Sequence, residues 1–310
     1  MGTATYTLGG LRIASDFPLF GLPVCRTQAQ ENCEVVIRCA PIPVGIASVT
    51  VKFRHAEYSE RQNGREILLE FPAVGRFLLR AGKEILMDLA PSSYDDEVQA
   101  YLLGAVFGAL CHQRGITPVH ASAIDVAEGC IAFVGASGAG KSTLVATLAR
   151  CGYEVFTDDA CFLQLGTDGH VQAWPGINRI RLWEDARLAL GFDGPDVERE
   201  TCGYAKYRIP VRPLRNPARS RRLHRVYQLH RAPNGAPEVT RLQGAAAVEV
   251  LMQNVYPPGL AERLGYKPHT FIACTAAARH VPVFRFSRPW NVATLSQGTK
   301  ILEDHLSNSC

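Results

Sequence analysis

Gly135-Ala-Ser-Gly-Ala-Gly-Lys-Ser-Thr143 is the stretch on which the fold turns. It fits G-x-x-x-x-G-K-[ST], with Gly135, Gly140, Lys141 and Ser142 at the fixed places. The apolar run Cys130-Ile-Ala-Phe-Val134 before it predicts a strand, and Ser142 to Cys151 after it predicts a helix ended by Gly152. In that context, small residues let backbone N–H groups curl around a phosphate. The helix opening at Lys141 would aim its unpaired N–H groups and positive dipole end at the same anion. Lys141 would bring an ammonium to the β- and γ-phosphates, and the Ser142 hydroxyl is a Mg²⁺ ligand of the right kind. Ser137, Gly138, Ala139 and Thr143 complete the candidate cradle. The competing reading is a glycine-rich turn with a chance lysine. It is weakened by rarity, since only six lysines occur in the chain and one stands where the loop requires it.

Seventeen residues beyond Lys141, directly after the strand-like Tyr153-Glu-Val-Phe-Thr157, stand Asp158 and Asp159. Asp is a common turn residue, so an acidic surface turn is the plain alternative. A strand returning beside the loop strand would instead place the pair near the nucleotide. There one carboxylate can hold Mg²⁺ and the other can accept a proton from an attacking hydroxyl. His120 opens the strand-like His120-Ala-Ser-Ala-Ile-Asp-Val126. It reads either as a satisfied structural histidine or as a group reaching the γ-phosphate.

Around this centre, strand and helix alternate, which predicts a mixed α/β (α+β) core. Residues 1–95 read instead as short strands, among them Glu34–Cys39, Ala47–Phe53, Glu66–Phe71 and Arg76–Arg80. A hairpin at Ala81-Gly-Lys83 leads to Glu84–Leu89. Val98, Leu102, Val106 and Leu110 recur every four residues and predict a helix over 97–114 with Gly115 as its cap. Residues 245–265 and 293–307 also read as helical. With 310 residues, about two domains are expected: a β-rich subdomain at 1–95 and a phosphate-loop domain at 96–310.

Composition sets limits. At 47% apolar and 20% charged residues the chain can bury a core, which excludes disordered and fibrous classes. A net charge of +4 is too small to call for nucleic acid or a membrane surface. Ten cysteines without a CxxC pair suggest free thiols in a reducing cytoplasm. The N-terminus lacks signal-peptide character, and the apolar stretch 101–111 falls short of the ~20 residues that span a bilayer. Residues 201–237 hold nine basic residues and no acidic one, leaving 24 basic against 29 acidic elsewhere. That run, with Arg208, Arg212, Arg215, Arg219, Arg221, Arg222 and Arg225, reads as a dock for an acidic peptide or phosphate, or as a solvated loop. Nucleic acid is not favoured, because no binding module accompanies the run. Arg179 and Arg181 lie two apart and would face one side of a strand, and read either as solvated surface arginines or as a pair suited to phosphate or carboxylate.

The order and spacing of Val119-His-Ala-Ser-Ala-Ile-Asp125, the Gly135–Thr143 loop and Gly152-Tyr-Glu-Val-Phe-Thr-Asp-Asp159 resemble the HPr serine kinase/phosphorylase C-terminal domain family. Trp174–Trp183 and Val281–Pro289 resemble regions of its stand-alone serine kinases, some of which modify lasso-peptide precursors. The resemblance implies a nucleotide domain of the phosphoenolpyruvate-carboxykinase type, ATP and Mg²⁺ as cofactors, and a protein or peptide serine as acceptor. It implies Asp158 as general base, Ser142 and Asp159 for the metal, and His120 near the γ-phosphate. It also brings the expectation of a homo-oligomer. Where the bifunctional enzymes carry a signature resembling Glu-Ile-Arg-Gly-x-Gly, this chain has Pro175-Gly-Ile-Asn-Arg-Ile-Arg181, so the resemblance does not extend to reverse phosphorolysis or to HPr as acceptor. Two other readings of the motif are a small-molecule kinase and a nucleotide-binding regulatory protein without transfer activity.

Overall fold

The computed structural model describes residues 3–22, 24, 32–43, 49–53, 56–61, 65–177, 179–200, 205–212, 214–232, 236–289 and 295–307. It is a mixed α/β protein of two units, Met1–Pro118 with Tyr256–Thr270, and Val119–Val255 with Phe271–Cys310.

The first unit is built on an eight-stranded sheet ordered Ala4–Leu8, Leu11–Ser15, Val35–Cys39, Glu84–Leu89, Gly75–Arg80, Glu66–Phe71, Ala56–Arg61 and Val49–Phe53. The hairpin expected at Ala81-Gly-Lys83 is present, with Ala81 and Gly82 at φ 49° and 64°. Ile13, Val35, Ile37, Ile67, Leu69, Phe77, Leu79 and Ile85 are fully buried on it. The helix expected over 97–114 runs from Asp95 to Gln113, but its middle turn, Leu102–Val106, is a wider π turn. Residues four apart drift by about 40° per step on a regular α-helix. One wide turn takes up that drift, so Val98, Leu102, Val106 and Leu110 are all buried.

The boundary expected at 95–96 lies instead at 118, because this helix is tied to the sheet unit. The Gln99 amide donates to Phe20 O and accepts from Phe20 N, both at 2.7 Å. The Tyr101 ring lies 4.4 Å from that of Phe71. Arg114 donates to Gly82 O and Gly82 N donates to Gln113.

In the second unit, strands Glu154–Thr157, Ala121–Val126, Gly129–Val134, Arg221–Arg231, Val283–Arg288 and Glu238–Leu242 lie side by side in that order. Gly129–Val134, Arg221–Arg231 and Val283–Arg288 are parallel; Ala121–Val126 runs against them and Glu154–Thr157 runs with them. Val134, Thr157 and Arg288 therefore end at one sheet edge, where Ala121–Val126 begins. Helix Lys141–Arg150 buries Leu144, Val145 and Leu148 in a core with Phe133, Tyr227 and Phe286. Val171–Pro175 pairs with the start of Arg221–Arg231 and with Cys161–Leu165, and a separate small sheet of Ile180–Trp183, Lys206–Ile209 and Glu198–Arg199 lies in the same unit.

Two expectations change here. Residues 245–265 are not one helix: Gly244–Gln253 stops before Tyr256-Pro257-Pro258, and only Leu260–Arg263 resumes. The arginine run is not a single basic surface. Arg221–Arg231 is an inner strand of the sheet, and Arg225 is buried, donating to His305 O and Leu306 O at the end of helix Leu295–Ser307. No helix among the described residues is long and apolar enough to cross a membrane.

Candidate active site

The strand Gly129–Val134 passes through the glycine loop into the helix that opens at Lys141. Gly140 caps that helix at φ 81°, and no side chain caps it, so its first N–H groups are left for another partner. Gly135 sits at φ 144°, with Leu229 O 3.0 Å from where a Cβ would be, so no side chain fits there without displacement. Lys141 is buried, and its ammonium donates to Gly135 O at 2.7 Å and Ala136 O at 3.1 Å. Burial lowers its pKa to about 8 against the raising pull of Asp158 and Asp159.

Asp158 lies beneath the start of the same helix. Its Oδ1 accepts from Ser142 Oγ at 3.0 Å and from Ser122 Oγ at 2.5 Å, and its Oδ2 accepts from the Arg181 backbone N–H at 3.2 Å. Burial, then the neighbouring Asp159, pushes its carboxyl above the usual carboxylate range, against those three hydrogen bonds. Asp159 is half-exposed and adopts φ 80°, a left-handed turn that aims its side chain away from Asp158's pocket. Desolvation would raise its pKa, but the Arg181 guanidinium bonded to it, with His120, Lys206 and Lys141, outweighs that and holds the carboxyl low.

The turn carrying the pair is locked from behind. Thr157 Oγ1 donates to Ala160 O at 2.7 Å and accepts from Gly176 N at 3.0 Å.

His120 Nδ1 donates to the Asp159 carbonyl at 2.8 Å and lies 3.6 Å from its carboxylate. A carbonyl only accepts, so Nδ1 carries the proton. Burial and Lys141 lower the His120 pKa, leaving the ring neutral at pH 7 with its basic electron pair on Nε2. Asn254 clamps two parts of the site together: its Oδ1 accepts from Gly135 N at 2.9 Å, and its carbonyl accepts from His120 N at 2.8 Å.

The structure thus brings together the glycine loop, Lys141, Ser142, His120, Asp158, Asp159 and Arg181. Arg179 stands beside Arg181, with its charge disfavoured by burial and by Arg181 and Arg208. Arg181 and Arg208 face each other across the small sheet and share the carboxylate of Glu200. Arg215 is not brought in. It lines an open surface hollow of about 470 Å³ with Asp125, Glu154 and Arg221, at the opposite end of the sheet strands. Arg212 is exposed, three residues past the strand Lys206–Ile209. Sequence reasoning missed Ser122, Thr157, Asn254 and Glu200. Of these only Ser122 carried a signal, standing two residues beyond His120 and so on the same strand face.

No protein-family model matches the chain, and neither does any curated protein. Among solved structures, it is similar to the HPr(Ser) kinase/phosphatase from Coxiella burnetii, at 13% identity and a TM-score of 0.31. The alignment covers 61% of this chain and 97% of that one. A likeness at that level assigns no role to any residue.

Proposed function

We propose that the second unit is an ATP- and Mg²⁺-dependent kinase that phosphorylates a serine hydroxyl of a protein or peptide. The supporting observation is one hydrogen bond with its setting. Ser142, second residue of the loop helix, donates to Asp158 at the end of another strand on the same sheet edge. That bond joins a phosphate-cradling loop to a carboxylate, the arrangement phosphoryl transfer needs. The oxygens of Ser142, Asp158 and Asp159 are hard donors that fit Mg²⁺. When bound, Mg²⁺ would neutralise charge developing on the phosphoryl oxygens.

The residues divide the remaining work. Backbone N–H groups of the loop and Lys141 hold the phosphates. Asp159, kept ionised by Arg181, serves the metal side together with Ser142. Asp158, with its raised pKa, is the better proton acceptor for the attacking hydroxyl. His120, donating to the Asp159 carbonyl, positions the acidic turn. The acceptor suggested by the sequence resemblance is a ribosomal precursor peptide of the lasso class.

Asp158→Asn should leave ATP binding intact and lower transfer to serine peptides by about 100-fold or more, measured by radiolabel transfer or mass spectrometry. Undiminished transfer would sink the base assignment. If instead the variant loses the Mg²⁺ dependence of nucleotide binding, Asp158 is the metal ligand and the proton passes to Asp159. Metabolite hydroxyls run beside serine peptides in the same assay separate a peptide kinase from a small-molecule kinase.

A further inference from the structure

We propose that Arg288 is a second cationic ligand for the phosphate chain at the glycine loop, an inference that rests on the nucleotide reading above. Arg288 is the last residue of strand Val283–Arg288. Through Gln228, residue Arg285 stands level with Val134, the last residue before the loop. Arg288 therefore lies three residues further along, about 10 Å at strand spacing, alongside the loop itself. Its side chain reaches Gly140: a Cβ there would lie 2.9 Å from Arg288 Nη2. Gly298, on the neighbouring helix, likewise leaves room, with Cδ of Arg288 3.4 Å from its Cβ position. Two glycines thus flank the arm of one arginine.

Arg288 is 5% exposed, and among the described residues its Nε has no hydrogen-bond partner. No carboxylate pairs with it among the described residues, and burial alone lowers its pKa, with no acidic group opposing. The ring of Phe286 lies 6.0 Å away, at the outer limit of a cation–π contact, and does not discharge it.

A buried, unpaired charge is costly unless a ligand completes it. Beside it lies the helix terminus at Gly140, which no side chain caps and whose first N–H groups favour an anion. A phosphate on that terminus meets both. Arg can contact it in two-pronged fashion, on the side of the loop away from the carboxylate pair. Lys141 donates to Gly135 O and Ala136 O within the loop, so the two cations would meet the phosphate chain from different elements.

The test uses the full chain with Arg288→Met and Arg288→Gln, measuring binding of ATP and of inorganic tripolyphosphate, and unfolding temperature without ligand. Both variants should bind both probes about tenfold to a hundredfold more weakly. They should unfold, unliganded, at or above the wild-type temperature, since an uncompensated charge has been removed. Wild-type affinity for both probes in either variant overturns the role of Arg288 and leaves the nucleotide reading standing. So does loss for ATP with tripolyphosphate binding intact, which would move the contact to the nucleoside. If Arg288→Met folds poorly while Arg288→Gln binds normally, the arginine is structural and the inference falls. Failure of the wild type to bind either probe would instead remove the nucleotide reading itself.

Discussion

Lys141 has a pKa of about 8 because burial disfavours its charge more than Asp158 and Asp159 favour it. The ammonium is present below that pH and lost above it, and a phosphate ligand binds only the charged form well. ATP affinity should therefore be highest below pH 8 and fall as pH rises past it, approaching tenfold per unit. Calorimetric titration with a non-hydrolysable ATP analogue from pH 6.5 to 9.5 measures this. Lys141→Met should bind weakly and lose the slope; a wild-type profile flat across pH 8 would contradict the assignment. His120, its pKa lowered by burial and by Lys141, titrates below the region around pH 8 and adds no slope there. The two aspartates differ in the opposite sense from their shared name: one is raised by burial, the other held low by a guanidinium. Environment rather than residue type separates their duties.

Among the elements, the helix Asp95–Gln113 with its π turn shows how packing overrides a regular repeat. Gly104 and Gly108 lie four apart, and a Cβ on them would meet Tyr256 Oη at 3.1 Å and Pro257 Cδ at 2.6 Å. Mid-helix glycine normally costs about 1 kcal/mol relative to alanine, so replacing it would ordinarily help. Here the contact at Gly108 is with a ring that cannot swing aside, and Gly108→Val should destabilise the first unit by ~2 kcal/mol or more. Chemical denaturation followed by circular dichroism checks this; a stabilised variant would show that the Pro257 contact is soft. The elements legible in the sequence were those with one strong periodicity and clear punctuation. Glu66–Phe71 falls where its weak alternation placed it, Glu84–Leu89 follows the hairpin turn as expected, and the glycine-loop strand and helix fall within a residue. The π turn was not legible, since a spacing of four is common to regular helices and a wide turn. The strand Arg221–Arg231 was hidden by charge: Arg221 and Arg225 pair with Asp125 and with a helix end far along the chain, contacts that no local pattern announces. In the candidate site, the motif residues announced themselves through fixed spacing. Asn254 and Arg288 did not, because each reaches the loop from a separate element.

At the scale of the whole molecule, every residue placed in the candidate site belongs to the second unit. The loop, His120, Asp158, Asp159, Arg181, Asn254 and Arg288 all lie within Val119–Val255 or Phe271–Cys310. The first unit, completed by Tyr256–Thr270, has its own sheet and its own buried core. A ligand that binds the native site stabilises what it touches, by about 2.7 kcal/mol at a hundredfold excess over its dissociation constant. That free energy reaches only segments whose opening breaks the site. ATP with Mg²⁺ should therefore slow amide exchange in the glycine loop, the Thr157–Ala160 turn, Ile180–Trp183 and the end of Val283–Arg288. Exchange in Glu66–Phe71, Gly75–Arg80 and the helix Asp95–Gln113 should stay unchanged. Hydrogen exchange with mass spectrometry, with and without nucleotide, resolves these peptides. Protection at Val283–Arg288 has a particular meaning, because that strand carries no residue of the sequence motif and joins the site through Arg288 alone. Protection spread equally over both units would show that the two open as one and would contradict an independent second unit. Protection of the loop without that strand would place the phosphates on the Lys141 side only.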